Sequence, residues 1–210
     1  MSDKPQEQKE TEPCRADARR LQVLDAASAC FRRHGFHGTS MAELSKAAGM
    51  SVGHIYHYFA NKEAIIAAIV ERDNQRAIEI GREIEERSRD SGDRFAAMIE
   101  MIDRSVIDEV LDDPNTALMM EIAAEAARNE KIAAIIHCES EQHQSCSRDM
   151  LLAAYRASGR EIDTKRIESQ AIVVDALFSG LALQGLHNPN MDRDTLAVIL
   201  RAALGGILSA

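Results

Sequence analysis

Apolar residues recur at intervals of three and four along most of the chain. No stretch alternates apolar with polar residues for long enough to make a strand. The pattern predicts nine helices and an all-α fold. The first runs from about Ala16 to His34, with Leu21, Leu24, Ala27 and Phe31 toward a core and Gly35 as its terminator. Ser40 and Glu43 make a capping box for a helix over Met41–Ala48, which turns Met41, Leu44 and Ala48 inward and ends at Gly49. Ser51 caps a short helix, Val52–Tyr58. Asn61 caps a long one, Lys62 to about Arg89, marked by Ile65, Ile69, Ile80 and Ile84. After a break at Ser91-Gly92-Asp93 a helix continues to Leu111, where Asp112-Asp113-Pro114-Asn115 stops it. Further helices follow over Thr116–Arg128, Glu130–Ala157, Thr164–Leu186 (capped by Asp163) and Arg193–Leu208.

Composition narrows this to an aliphatic core. The 210 residues are 45% apolar but only 4% aromatic, without Trp. No run of about 18 apolar residues occurs, so no membrane span is expected. Residues 1–14 are polar, lack the apolar segment of a secretory signal and read as a disordered arm, so a cytoplasmic location is expected. Cys14, Cys30, Cys138 and Cys146 form no CxxC pair and read as reduced thiols.

The net charge of −9 argues against a nucleic-acid partner until its distribution is considered. Residues 15–62 carry seven basic and three acidic groups, whereas residues 63–210 carry sixteen and twenty-seven. A mildly basic head on an acidic body is compatible with DNA contact by the head alone. Within the head, two Ser-capped helices joined through Ala47-Ala48-Gly49-Met50 form a helix-turn-helix over Thr39–Phe59. The second helix of such a unit enters the major groove. Val52, Gly53 and His54 are then expected toward base edges. Thr39, Ser40, Ser51, Tyr56, His57 and Lys62 complete the expected DNA-contacting set, with Tyr56, His57 and Lys62 toward phosphates, and Phe59 is expected in the head's core.

The stretch GTSMAELSKAAGMSVGHIYHYFANKEAI closely resembles the DNA-binding head of TetR-family regulators. Thr39, Leu44, Ala47–Ser51, Tyr56, Tyr58-Phe59 and Lys62-Glu63 carry the likeness, and AASACFRRHGF extends it back through the first helix. It departs from the family at His54, where a small or polar residue is common, and at Cys30 and Ile65, where Leu is usual. EIAAEAARNEKIAAII is similar to bodies in one branch of the family. The resemblance implies a three-helix head (15–62) joined by a long helix to a helical ligand-binding and dimerisation body (63–210). It implies a homodimer paired through the last two long helices, an operator of double-stranded DNA, and repression relieved by a small molecule. No cofactor is implied. No nucleophile elbow, phosphate loop or HExxH is present, so no enzymatic activity is expected.

In the body, Asp175 is an acid within the apolar AIVVDALFSGLALQGL and needs either a structural partner or a ligand. Glu121, Glu125, Asp175 and Phe178 are the candidate effector residues, with an apolar cation as the expected effector class, although Glu121 and Glu125 also read as an exposed polar face. The Met-rich body suits a permissive pocket or a plain core. Gly180 and Gly185, with Ser179 and Ala182, suit close helix approach, either across a dimer or within one chain. Glu139, His143 and Cys146 share a helix face, and a metal- or redox-responsive regulator using Cys138, His143 and Cys146 is the alternative reading. Their spacing matches no closed zinc pattern, and no metal is expected.

Overall fold

The computed structural model describes residues 12–159 and 163–209, with side chains from residue 15 onward. The arm expected at the start lies outside these residues, except that residues 12–14 already belong to the first helix. Ten helices and no strand occur among the described residues: α1 (Glu12–Gly38), α2 (Met41–Ala48), α3 (Val52–Tyr58), α4 (Lys62–Ser88), α5 (Arg94–Glu100), α6 (Arg104–Leu111), α7 (Thr116–Ala126), α8 (Glu130–Ala157), α9 (Thr164–His187) and α10 (Arg193–Ser209). The all-α expectation is met. The extra helix arises because the predicted segment ending at Leu111 is two helices. Asp103 adopts extended backbone, and its carboxylate accepts from the Ser105 and Val106 amides to start α6 afresh. The Ile102 carbonyl at the break accepts from Arg201.

The chain divides into two compact units, Met1–Ile69 and Val70–Ala210. In the first, α1 packs on α2 and α2 on α3. Its core is Val23, Leu24, Ala27, Phe31, Phe36, Leu44, Ile55, Phe59, Ile65, Ile66 and Ile69. The first turns of α4 therefore belong to this unit. Leu21 was expected inward and instead stands 48% exposed, with Val23 in its place. The buried run 23, 24, 27, 31 follows the helical repeat, which Leu21 does not extend.

In the second unit, α8 packs on α7 and α9, and α10 lies against α5, α6 and α9. One apolar cluster gathers Phe95, Met98, Leu151, Tyr155, Ile167 and Leu208. A neighbouring one gathers Ile102, Ile107, Leu111, Leu181, Leu200 and Leu204. The Tyr155 hydroxyl lies 2.9 Å from Gln170 Oε1 and 2.8 Å from the Leu208 carbonyl, and Gln170 Nε2 donates to the Ile207 carbonyl. This buried clamp satisfies carbonyls at the end of α10 that have no partner inside their own helix. Arg193 bonds Asp108 and Asp112, holding the start of α10 to α6.

Of the glycines weighed for close approach, Gly185 is used within the chain. A Cβ there would collide with the Leu111 carbonyl group, whereas one at Gly180 would meet nothing. By length and composition α9 is apolar enough to cross a membrane, although no uninterrupted apolar run was found in the sequence. Ile172, Val173 and Leu186 on α9, and Val198 and Ile199 on the neighbouring α10, are exposed.

Candidate nucleic-acid interface

The helix-turn-helix is held at each of its junctions. Ahead of α2 the capping box is complete: Ser40 Oγ accepts from the Glu43 amide at 3.2 Å, and Glu43 Oε2 accepts from the Ser40 amide at 2.7 Å. Those bonds hold the Glu43 carboxyl below its ordinary range, chiefly through the Ser40 amide. Gly49, with φ 63° and ψ 31°, makes the turn in a conformation other residues rarely adopt. Ser45, which the sequence did not single out, closes the turn from inside: its hydroxyl donates to the Met50 carbonyl, and its own carbonyl accepts from the Met50 amide. Gln22 Nε2 donates to the Ala48 carbonyl at 2.8 Å and pins the end of α2 to α1. Ser51 Oγ then accepts from the His54 amide at 3.2 Å to start α3.

On α3, Ile55 is fully buried and Phe59 just beyond the helix is nearly so. Ser51, Val52, Gly53, His54, Tyr56 and His57 are all exposed. The expected base-facing and phosphate-facing residues of α3 thus share one outward surface beside a buried anchor. Ser40, at the start of α2, is exposed as well.

Two expected contacts are placed differently. The Thr39 side chain is 1% exposed and its hydroxyl donates to the Gly35 carbonyl at 2.9 Å, so it shapes the turn after α1 and does not present a hydroxyl outward. Lys62 Nζ donates to the Phe36 carbonyl at 2.7 Å and to the Thr39 carbonyl at 2.8 Å. The Thr39 hydroxyl and two of the three Lys62 ammonium donors therefore serve the segment between α1 and α2. The sequence signal for this was Gly35, whose non-helical φ of 70° leaves nearby carbonyls in need of donors.

The candidate effector residues do not form one site. Glu125 is 1% exposed, which overturns the exposed-face reading for it. Its carboxylate accepts from Arg128 Nε at 2.8 Å and Asn129 Nδ2 at 3.2 Å, closing the turn between α7 and α8. Glu121 is half-buried on the same helix. Phe178 is half-buried against the cluster around Leu111 and Leu181. Asp175 has its partner on α8, with Oδ1 lying 3.3 Å from His143 Nε2. That bond pushes the His143 imidazole's pKa up, against the opposing effect of burial.

His143 also lines a groove of about 270 Å³ between α4 and α8, floored by Ala77, Ile78, Gly81 and Met150. Glu139, one turn earlier, accepts from Asn74 of α4. Among the described residues no group of three or more His, Cys, Asp or Glu is placed to share a metal, and Cys30, Cys138 and Cys146 are free thiols. Nothing supports the metal- or redox-responsive alternative.

A capped helix-turn-helix with an outward second helix, on a chain with ten helices and no strand among the described residues, is the arrangement of a DNA-binding transcriptional regulator. Residues 23–69 match the family of bacterial regulatory proteins called tetR. The HTH-type transcriptional regulator UidR of Escherichia coli K12 is 31% identical over 197 residues, spanning 93% of this chain and 95% of UidR. The chain belongs to the TetR family. In solved structures, GusR of Salmonella enterica is 27% identical with a TM-score of 0.68, covering 97% of this chain and all of GusR. A transcriptional regulator from Pseudomonas aeruginosa PAO1 shares the fold at a TM-score of 0.76 and 23% identity, over 95% of this chain and 93% of that one.

Proposed function

We propose that the protein is a homodimeric repressor, acting in the cytoplasm, that binds a roughly palindromic operator through α3 of each subunit and releases it when a small molecule enters the body. The outward face of α3 carries this reading, because six consecutive or near-consecutive residues are kept from the core while Ile55 and Phe59 anchor the helix. Ser40, Ser51, Tyr56 and His57 donate to phosphates. Thr39 and Lys62 act indirectly, by fixing the segment that precedes α2.

The dimer reading rests on α9 and α10. Ile172, Val198 and Ile199 are each more than half exposed, and Val173 nearly so. Two such helix pairs, laid against each other about a two-fold axis, bury this surface as a four-helix bundle.

The effector reading rests on the groove between α4 and α8, whose volume is near the lower end for small-molecule sites. His143 links that groove to α9 through Asp175, so a ligand that turns the imidazole also disturbs the helix assigned to dimerisation. Asp175 and Glu125 already hold partners within the chain, whereas Glu85 and Asp149 line the groove itself, so an apolar cation is kept as the proposed effector class.

A gel-shift assay with the promoter fragment beside the protein's own gene tests the reading. Retardation that outlasts excess unrelated DNA supports it. Equal retardation of unrelated DNA, or none at low salt, contradicts it.

A further inference from the structure

One wall of the groove between α4 and α8 is an ionisable ring with a single nitrogen engaged. His143 Nε2 lies 3.3 Å from Asp175 Oδ1 on α9, while Nδ1 is buried without a hydrogen-bond partner among the described residues. A carboxylate only accepts, so Nε2 keeps its hydrogen in both states of the ring, and the proton that comes and goes is the one on Nδ1. The charged ring therefore carries a buried N–H with no acceptor.

Asp175 works against that cost. Its hydrogen bond, and then its charge, draw the imidazole's pKa upward against the effect of burial. The other charged groups around the groove are Glu139 and Asp149 on α8, and Arg82 and Glu85 across from them on α4. Glu139 accepts from Asn74, and Asp149 lies 3.7 Å from Arg148. None of them adds to the pull of Asp175 on the ring. The groove thus sets two lining carboxylates against one guanidinium, over a floor of Ala77, Ile78, Gly81 and Met150. A cation drawn to that floor stands beside His143, and two positive charges in a half-buried space repel.

We propose that the effector cation and the His143 proton are alternative occupants of this groove, so that binding drives the Nδ1 proton into solvent and acid opposes binding. This rests on the reading of the groove as the site of an apolar cation. The neutral ring keeps Nε2–H toward Asp175 and places a lone pair, not a donor, at the buried Nδ1. By reciprocity, the proton weakens cation binding by the same factor as the cation weakens proton binding. Release of DNA then depends on pH as well as on effector concentration.

The test is calorimetric titration of the full chain with benzyltrimethylammonium, whose own charge does not change with pH. At about pH 6, heats in buffers of different ionisation enthalpy should reveal release of up to about one proton per chain, and at about pH 8.5 the release should vanish. Affinity should rise with pH across the acid range by no more than about tenfold per unit, then level off. His143→Gln should bind the probe with a flat pH profile and release no proton. Asp175→Asn should move the release to lower pH. Binding without proton release at about pH 6, or release that persists in His143→Gln, overturns the proposal. Absence of binding at both pH values contradicts the apolar-cation reading of the groove itself, which is a distinct result.

Discussion

Lys62 Nζ stands 4.3 Å from the centroid of the Phe36 ring and donates to the carbonyl oxygen of the same residue at 2.7 Å. A cation over a ring face and a charge-assisted hydrogen bond converge on one residue, and Thr39 supplies a second acceptor. The first residue of α4 thereby holds the segment from which α2 starts. Lys62→Ala should lower the stability of the Met1–Ile69 unit by about 1.5–3 kcal/mol, the range for charged hydrogen bonds. The salt dependence of DNA binding should change little. A fall of about one in the slope of log affinity against log salt, with unchanged stability, would instead mark Lys62 as a phosphate contact.

Gly185 and Gly180 separate two uses of glycine on α9. Gly185→Ala forces a Cβ into the Leu111 carbonyl and should destabilise the body by about 1–3 kcal/mol, as overpacking does. Gly180→Ala meets open space within the chain and should leave monomer packing intact. Chemical unfolding of both variants checks the contrast, and equal losses would contradict it.

The sequence made the local devices legible: both Ser caps, Gly49 as the turn and the extent of most helices. These depend on near neighbours and repeat spacing. What it did not show depends on residues distant in sequence. Gln22 reaching Ala48, Lys62 reaching Phe36 and Asp175 meeting His143 span 26, 26 and 32 residues. Glu125 was misread for a related reason, since a Glu on a helix is ordinarily solvated and only its Arg128 and Asn129 partners permit burial. The break at Asp103 was missed because the flanking apolar residues keep helical spacing across it.

Asp73 gives a pH dependence. Burial, and next the facing charge of Asp113, push its carboxyl up to about 6, against the pull of Arg72 and Arg76. Its Oδ1 accepts from Asn115, while Oδ2 is buried without a partner among the described residues. Between its ordinary value near 3.8 and about 6, the folded protein keeps a proton that the unfolded chain has released. Stability from this group therefore falls as pH rises through that window. Asp73→Asn should remove the slope and stabilise the protein at pH 7.5 by roughly 1–2 kcal/mol, a figure reduced for partial exposure. Urea unfolding at pH 4 and pH 7.5 should show the variant's advantage only at the higher pH; the same advantage at both would contradict the assignment.

The outer face of α9 and α10 should respond to charge. Ile199 is 60% exposed and Val198 54%. Ile199→Glu leaves the monomer core untouched and places an unpaired carboxylate in the expected interface, where burial is strongly disfavoured. Sedimentation should show a dimer for wild type and a folded monomer for the variant. An unchanged dimer would place the interface elsewhere.

The most direct test of DNA reading by α3 is a footprint of the full chain on its selected operator, compared with the Tyr56→Ala/His57→Ala double variant. The account predicts two protected half-sites related by two-fold symmetry, their centres one helical turn (about 34 Å) or a multiple of it apart. It predicts loss of both in the double variant, with dimerisation and thermal stability unchanged. Protection that survives the double substitution would contradict it.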